Sequence, residues 1–281
     1  MYATRPMHPT DAAGCEDGVA RLAARLAGAR RAVAFTGAGV STESGIPDFR
    51  SRDGVWARFD RREFTYQNFI GSVEGRRRYW ALGRETYPLI RAAAPNAAHS
   101  ALAALHRLGR LDCCITQNID GLHQRAGLPA EAVVELHGNA TRARCLECGA
   151  AYTRDALHAR LEAGVAVPDC ERCGGVVKPH TILFGEAMPQ AAVEEARRRA
   201  GAADLLLVLG SSLAVFPAAY VPRHARRAGA ALAIVNLEPT PLDREADLVL
   251  RAPAGAVMAA VLDAVRGQPS TPGMPWTPAK G

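Results

Sequence analysis

Four of the seven cysteines fall into two matched pairs, Cys145-x2-Cys148 and Cys170-x2-Cys173, with 21 residues between them. Glycine follows each pair, Gly149 in one case and Gly174-Gly175 in the other. Two such tight turns can present four thiolates to one Zn²⁺ at about 2.3 Å in a tetrahedral array. Four sulfurs leave no open coordination position, so the spacing predicts a structural metal rather than a catalytic one. A redox pair or cysteines placed by chance would not explain two matched pairs at ribbon-like spacing. Cys15, Cys113 and Cys114 fall outside the pattern, and the latter two lie in an apolar stretch as small core residues.

A second group of residues points to a nucleotide. The apolar strand Ala32 to Phe35 ends in Thr36, Gly37, Ala38 and Gly39. Small residues after a buried strand let the backbone approach a phosphate and meet it with N–H groups. The usual dinucleotide fingerprint is incomplete, because position 42 is Thr where a third glycine belongs. No acidic residue closes a second strand about 20 residues on, which weakens a hydride-transferring dehydrogenase. Gly45-Ile46-Pro47-Asp48-Phe49-Arg50 instead places a carboxylate, an aromatic ring and a guanidinium beside the loop.

His137 directly follows an apolar strand and precedes Gly138. Residues at the carboxyl ends of parallel strands line the ligand crevice of such sheets, and an imidazole there can act as a general base near neutrality. Gln117, Asn118 and Asp120 follow another strand end, where carboxamides and a carboxylate suit hydroxyl and amide recognition. An Asx-turn capping the next helix is an equal alternative for them. His99 and His106 lie on a helix and read as packing or surface residues.

The elements that must hold these groups alternate between strand and helix. Val19, Leu22 and Leu26 recur at helical spacing. Asn96 is a good N-cap, Leu102, Leu105 and Leu108 form an apolar stripe, and Gly109 closes that helix. Strands are expected at 111–116, 133–136, 204–209, 231–236 and 247–250, with helices at 190–201, 217–229 and 254–266. Uninterrupted apolar runs such as Leu205 to Leu209 indicate strands buried on both faces, hence an α/β fold with a Rossmann-like parallel sheet flanked by helices. Segments 51–95 and 140–179 break the alternation and are expected to form a smaller helical and zinc-binding domain. The larger domain would then comprise 18–50, 96–139 and 180–266, between a flexible N-terminus, 1–17, and a disordered tail, 267–281, that holds four prolines. Phe59, Phe64, Tyr66 and Phe69 are expected to pack within the first inserted segment.

Composition excludes several classes. Net charge is +6, but the arginines are spread along the chain rather than gathered into a nucleic-acid stripe. No apolar run is long enough to span a bilayer, and the N-terminus has no apolar core of a secretory signal. Paired metal-ligand cysteines without a disulfide framework fit a reducing, cytoplasmic setting.

Taken together, G-A-G-V-S-T-E-S-G-I-P-D-F-R at 37–50, T-Q-N-I-D-G-L-H at 116–123, Leu136-His137-Gly138, the cysteine pairs, Gly210-Ser211-Ser212-Leu213 and Val235-Asn236 resemble the sirtuins, the NAD-dependent protein deacylases. The resemblance spans roughly residues 30 to 266, and the Ser-Ser form at 211–212 is most like the class II branch. It implies that NAD lies between the two domains as co-substrate, beside one structural zinc on Cys145, Cys148, Cys170 and Cys173. The NAD site would draw on Gly37, Ala38, Gly39, Ser41, Glu43, Pro47, Asp48, Phe49 and Arg50, then on Gln117, Asn118, Ile119 and Asp120. His137, Gly210, Ser211, Ser212, Asn236, Leu237, Glu238 and Ala254 would complete it, with His137 and Asn118 in catalytic roles. The implied reaction converts acyl-lysine and NAD to nicotinamide, free lysine and O-acyl-ADP-ribose. The peptide substrate would add as a strand between Phe184-Gly185-Glu186 and Leu213-Ala214-Val215 of what is expected to be a monomer.

Mono-ADP-ribosyl transfer to protein is the alternative use of the same pocket. A zinc-ribbon nucleic-acid module fits less well, since 140–179 mixes acidic with basic residues. Two departures from the family stand out. His180 occupies a position where Asp is common, and the Y-x-x-R that grips dicarboxylic acyl groups is absent. Leu82 is the third residue after Tyr79, and Arg84 is displaced by two positions, which predicts a preference for neutral acyl groups.

Overall fold

The computed structural model describes residues 12–48 and 59–267. Helix Ala12–Gly28 (α1) begins inside the segment expected as a flexible lead-in and runs into strand Ala32–Thr36 (β1). Residues 1–11, among them most of that expected lead-in, residues 49–58 with Phe49 and Arg50, and residues 268–281 lie outside the described residues. Tyr66–Gly71 (α2) and Val73–Ala92 (α3) start on the side chains of Thr65 and Ser72, each accepting from a backbone N–H of the first turn. Ala97–Arg107 (α4) starts on Asn96, as expected, and Gly109 ends it at φ +67°. Leu108 departs from expectation. It sits past the last helical turn and is half exposed, so the buried stripe is Ala98, Ala101, Leu102 and Leu105.

Cys113–Thr116 (β2), the single turn Leu122–Arg125 (α5) and Val133–Glu135 (β3) follow. Three short strands, Arg142–Cys145 (β4), Ala151–Thr153 (β5) and Val177–Pro179 (β6), enclose helix Arg154–Glu162 (α6). The chain then alternates through Gln190–Gly201 (α7), Leu205–Leu209 (β7), Tyr220–Arg227 (α8), Ala231–Val235 (β8), Leu248–Leu250 (β9) and Ala254–Arg266 (α9). The helix expected over 217–229 is shorter at both ends, beginning only after the turn that follows Pro217.

Six parallel strands form the main sheet in the order β3-β2-β1-β7-β8-β9. Side chains alternate across it, as the pleat demands. Ala32, Ala34, Leu205, Leu207 and Leu209 pack on one face beneath α1, α4 and α9, while Val33, Phe35, Leu206 and Val208 face α7 and α8. Both faces are covered, which is why these strands carry no polar residue before their ends.

The two interrupting stretches meet each other. Trp80 of α3 is fully buried with Ala143, Cys145, Leu157, Leu161 and Val177. The antiparallel sheet in this part, β5-β4-β6, was not anticipated, although Arg142-Ala143-Arg144-Cys145 alternates exposed and buried in period two. Phe64 and Phe69 are buried as expected, whereas Phe59 and Tyr66 are only partly covered.

Candidate functional site

Strand order reverses between β1 and β7, and in parallel sheets the ligand crevice opens at the carboxyl ends beside that reversal. Here the two turns after β1 and β7 touch through glycine. A Cβ on Gly37 would lie 2.8 Å from the Gly210 carbonyl oxygen, and one on Gly39 would lie 2.9 Å from Gly210 Cα. Gly210 itself has φ +55° and any side chain on it would overlap the Val40 nitrogen. The small residues thus form a floor no Cβ could occupy. One expectation is corrected by the backbone: the amides of Gly37, Gly39, Val40 and Ser41 do not form an open row. Gly37 and Gly39 donate to the Leu209 and Gly210 carbonyls across the two turns, and Val40 and Ser41 donate to the Gly37 and Ala38 carbonyls within their own turn.

The second turn closes over the first. Asn118 is buried, and its Nδ2 donates to the Gly37 carbonyl and to Ser41 Oγ, both at 3.1 Å. Ser41 Oγ in turn donates to Asp120 Oδ2 at 2.8 Å, while Asp120 Oδ1 accepts from the Leu122 amide at 2.9 Å. The Asx-turn reading of this segment therefore holds for Asp120. Asp120 caps the following turn, and Asn118 is locked facing the crevice wall. Gln117 Nε2 donates to Ser211 Oγ at 2.8 Å, tying β2 to β7 across β1.

His137 stands just past β3. Its Nδ1 lies 3.0 Å from the Gln117 carbonyl oxygen, and a carbonyl can only accept. In the neutral ring the proton is therefore on Nδ1 and the lone pair on Nε2. Gly138, at φ +71°, lets the chain turn beneath the His180 backbone, and the His137 carbonyl accepts from the Ile182 amide at 3.0 Å. His180 contributes its main chain here. Its imidazole pKa is lowered, first by burial and then by Arg142, Arg144 and Lys178, so the ring stays neutral.

Other expected contacts scatter around this centre. Glu43 is engaged by the fold, its Oε1 accepting from the Gly255 amide at 2.8 Å at the start of α9, next to buried Ala254. Asn236 Nδ2 donates to the Glu238 carbonyl at 2.7 Å, and Ile119 accepts from the Ala140 amide at 2.8 Å through its own carbonyl. Ser212, Leu237 and Glu238 are exposed on the rim, and Pro47 and Asp48 are half-buried. Phe49 and Arg50 lie outside the described residues. The floor without Cβ atoms and the carboxamide, hydroxyl and carboxylate groups at the strand ends fit a dinucleotide's phosphates, ribose hydroxyls and carboxamide.

Sequence reasoning missed the ion pair that braces the 179–186 loop. Lys178 is 4% exposed and its Nζ bonds Glu186 Oε2 at 2.9 Å, the Thr181 carbonyl at 2.6 Å and the Pro179 carbonyl at 3.2 Å. Burial lowers the lysine pKa and Glu186 opposes that shift. Tyr79 also joins this loop, its hydroxyl 2.8 Å from Thr181 Oγ1. Arg84 is exposed and takes no part. Arg154 lies against α3, its guanidinium 4.8 Å from the centroids of both the Trp80 and Tyr87 rings.

The four paired cysteines converge as predicted. Their sulfurs all lie within 4.8 Å of one another, with Cys145 to Cys173 and Cys148 to Cys170 both at 3.6 Å. Tetrahedral zinc with bonds of about 2.3 Å requires edges of about 3.7 Å, so the thiol cluster fits that ion. Tyr152 donates to Cys170 Sγ at 3.2 Å, and this hydrogen bond is the main cause of a Cys170 pKa lowered to about 6. Such an outer partner orients the ligand and favours its thiolate form.

Comparison with known proteins agrees with this arrangement. The Sir2 family profile matches residues 37–217. A protein of Bradyrhizobium diazoefficiens named NAD-dependent protein deacetylase 1 is 45% identical over 247 residues, spanning 88% of this chain and 96% of its own. A solved structure from work on the mechanism and regulation of Sir2 enzymes superposes with a TM-score of 0.81 at 41% identity, covering 89% of this chain and 98% of its own. Another, of Sir2 with a p53 peptide and NAD+, gives 0.78 at 38% identity and covers 86% and 96%. With a family profile over most of the chain and relatives aligned over nearly their whole length, this chain belongs to the Sir2 family.

Proposed function

We propose that this protein is an NAD-dependent protein lysine deacylase in which His137 is the general base. The observation that carries the role of His137 is its Nδ1 hydrogen bond to the Gln117 carbonyl at 3.0 Å, which directs the Nε2 lone pair to the reaction. When bound, NAD supplies the electrophilic ribose carbon and the nicotinamide leaving group. His137 Nε2 would then take the proton of a ribose hydroxyl, with the Asn118–Ser41–Asp120 chain holding the crevice wall in place. Relatives solved with NAD and peptide support this use of the crevice.

The acyl-lysine peptide is read as an added strand beside 184–186 and 213–215. Tyr79 and exposed Arg84 do not converge, which supports preference for neutral acyl groups. Among the described residues no helix is long and apolar enough to cross a membrane. Four thiols gathered at one metal site support a reducing, cytoplasmic setting, and the protein is read as a monomer. His137→Ala tests the reading. Mass spectrometry should show O-acyl-ADP-ribose formation falling by about 10²–10⁴-fold with the fold retained. More than half of wild-type turnover would remove His137 from the mechanism, and ADP-ribosylated protein without deacylation would favour the transferase alternative.

A further inference from the structure

Two buried histidines have no place in the chemistry above, yet their hydrogen bonds lead to it. His99 is fully buried on α4 and His123 is 1% exposed on α5, with ring centroids 4.9 Å apart. Protons can be assigned along the chain of contacts that starts at the His123 ring.

Thr36 Oγ1 donates to Thr116 Oγ1 at 2.8 Å, so its only hydrogen is committed. His123 Nε2, 2.9 Å from Thr36 Oγ1, must therefore be the donor there. That leaves His123 Nδ1 as a buried acceptor, and among the described residues it has no hydrogen-bond partner. On the other ring, His99 Nδ1 lies 3.0 Å from Asn96 Oδ1 and 3.3 Å from the Asn96 amide in the capping box at the start of α4. His99 Nε2 likewise has no partner among the described residues. Burial keeps both neutral, lowering the His99 pKa and taking that of His123 to about 3.

At the far end, Thr116 Oγ1 also accepts the Asn118 amide at 3.0 Å. That N–H belongs to the peptide group whose carbonyl, Gln117 O, receives His137 Nδ1. A peptide group is planar, so fixing its N–H fixes the direction of its C=O.

We infer that His123 is a positioning residue for His137, acting through Thr36, Thr116 and the Gln117–Asn118 peptide group, with His99 holding its ring from behind. The role rests on the reading of His137 as general base. His123 touches no ligand, and its contribution is to the orientation of the base. Loss of the Nε2 donor frees Thr36 to rotate, releases the Asn118 amide and lets the carbonyl under His137 tilt. Misplacing a reacting group by about 1 Å can cost on the order of 10²-fold in rate.

The experiment pairs His123→Leu with His123→Gln, whose side-chain amide restores a donor toward Thr36. Kinetics on an acetyl-lysine peptide should show His123→Leu lowering kcat by about tenfold or more, with KM for peptide and NAD changed less than about twofold. His123→Gln should regain most of the lost kcat. Long-range ¹⁵N–¹H spectra of the wild type should show His123 as the neutral Nε2–H tautomer at pH 7, a measurement independent of any activity. A folded His123→Leu with wild-type kcat, a loss in KM alone, no recovery in His123→Gln, or a proton on His123 Nδ1 would each overturn the assignment. If His123→Leu does not fold, Thr36→Val carries the same kinetic expectation, and a Thr36→Val enzyme with wild-type kcat would refute it. A wild type that deacylates nothing while showing the expected tautomer would contradict the deacylase reading, not the hydrogen-bond chain.

Discussion

Replacing Gly138 by alanine should damage this protein more than any glycine change of similar backbone angle in an open place. Gly138 has φ +71°, and an L-residue in the left-handed region costs roughly 1–2 kcal/mol. A Cβ there would also overlap the His180 carbonyl oxygen and lie 2.9 Å from its carbon, so the 180–181 backbone must move away. That motion strains two hydrogen bonds, Asn139 N to the His180 carbonyl and Ile182 N to the His137 carbonyl, each worth about 1 kcal/mol net. The sum is about 3–4 kcal/mol, and at roughly 2–4 °C per kcal/mol the melting temperature should drop by about 10 °C. Because His137 is the adjacent residue, kcat should fall as well. Gly109→Ala is the control. It has φ +67° with nothing within 4 Å of a Cβ, so it should lose only the conformational part, roughly 1–2 kcal/mol, and keep full activity. Scanning calorimetry and deacylation assays on both variants decide the matter. Equal losses of stability, or a fully active Gly138→Ala enzyme, would show that contact with His180 does not shape this corner.

Three further outcomes follow from the same structure. Metal analysis should find one zinc per chain, and Cys173→Ala or strong chelation should lose activity together with the structure around Trp80, since such sites can contribute roughly 10–16 kcal/mol; active, zinc-free protein would contradict this. Lys178→Met should destabilise by about 3–5 kcal/mol because it leaves Glu186 half-buried without its cation, whereas the double change Lys178→Met with Glu186→Leu should recover much of the loss in urea unfolding. Acetyl- and butyryl-lysine peptides should be processed faster than succinyl-lysine, since Arg84 is exposed and the Arg154 guanidinium lies against two rings; succinyl-lysine turned over tenfold faster would show that a cation does reach the acyl pocket.

The cysteine cluster, the glycine floor and the strand-end position of His137 were legible because each depends on residues close together in the chain. A C-x2-C turn brings its two sulfurs together locally, and a histidine after an apolar run must sit at a strand end whatever surrounds it. Strand and helix alternation was equally plain, since a sheet covered on both faces leaves long apolar runs such as Leu205 to Leu209. Leu108 misled because helical periodicity does not reveal where the helix stops, and one residue past Arg107 the side chain turns to solvent.

Only the tertiary structure decided which polar groups answer one another across distance. Thr36, Thr116 and His123 lie on three separate elements, and nothing in their spacing shows that parallel pairing of β1 with β2 joins the two hydroxyls and sets one of them against an imidazole. Glu43 looked like a ligand of the nucleotide loop, yet it reaches the amide of Gly255, 212 residues away. Lys178 and Glu186 became a buried pair only when the loop between them folded back. The physical reason is common to all three. Which polar groups pair across the chain is set by what packing brings within hydrogen-bond reach, not by neighbours in sequence.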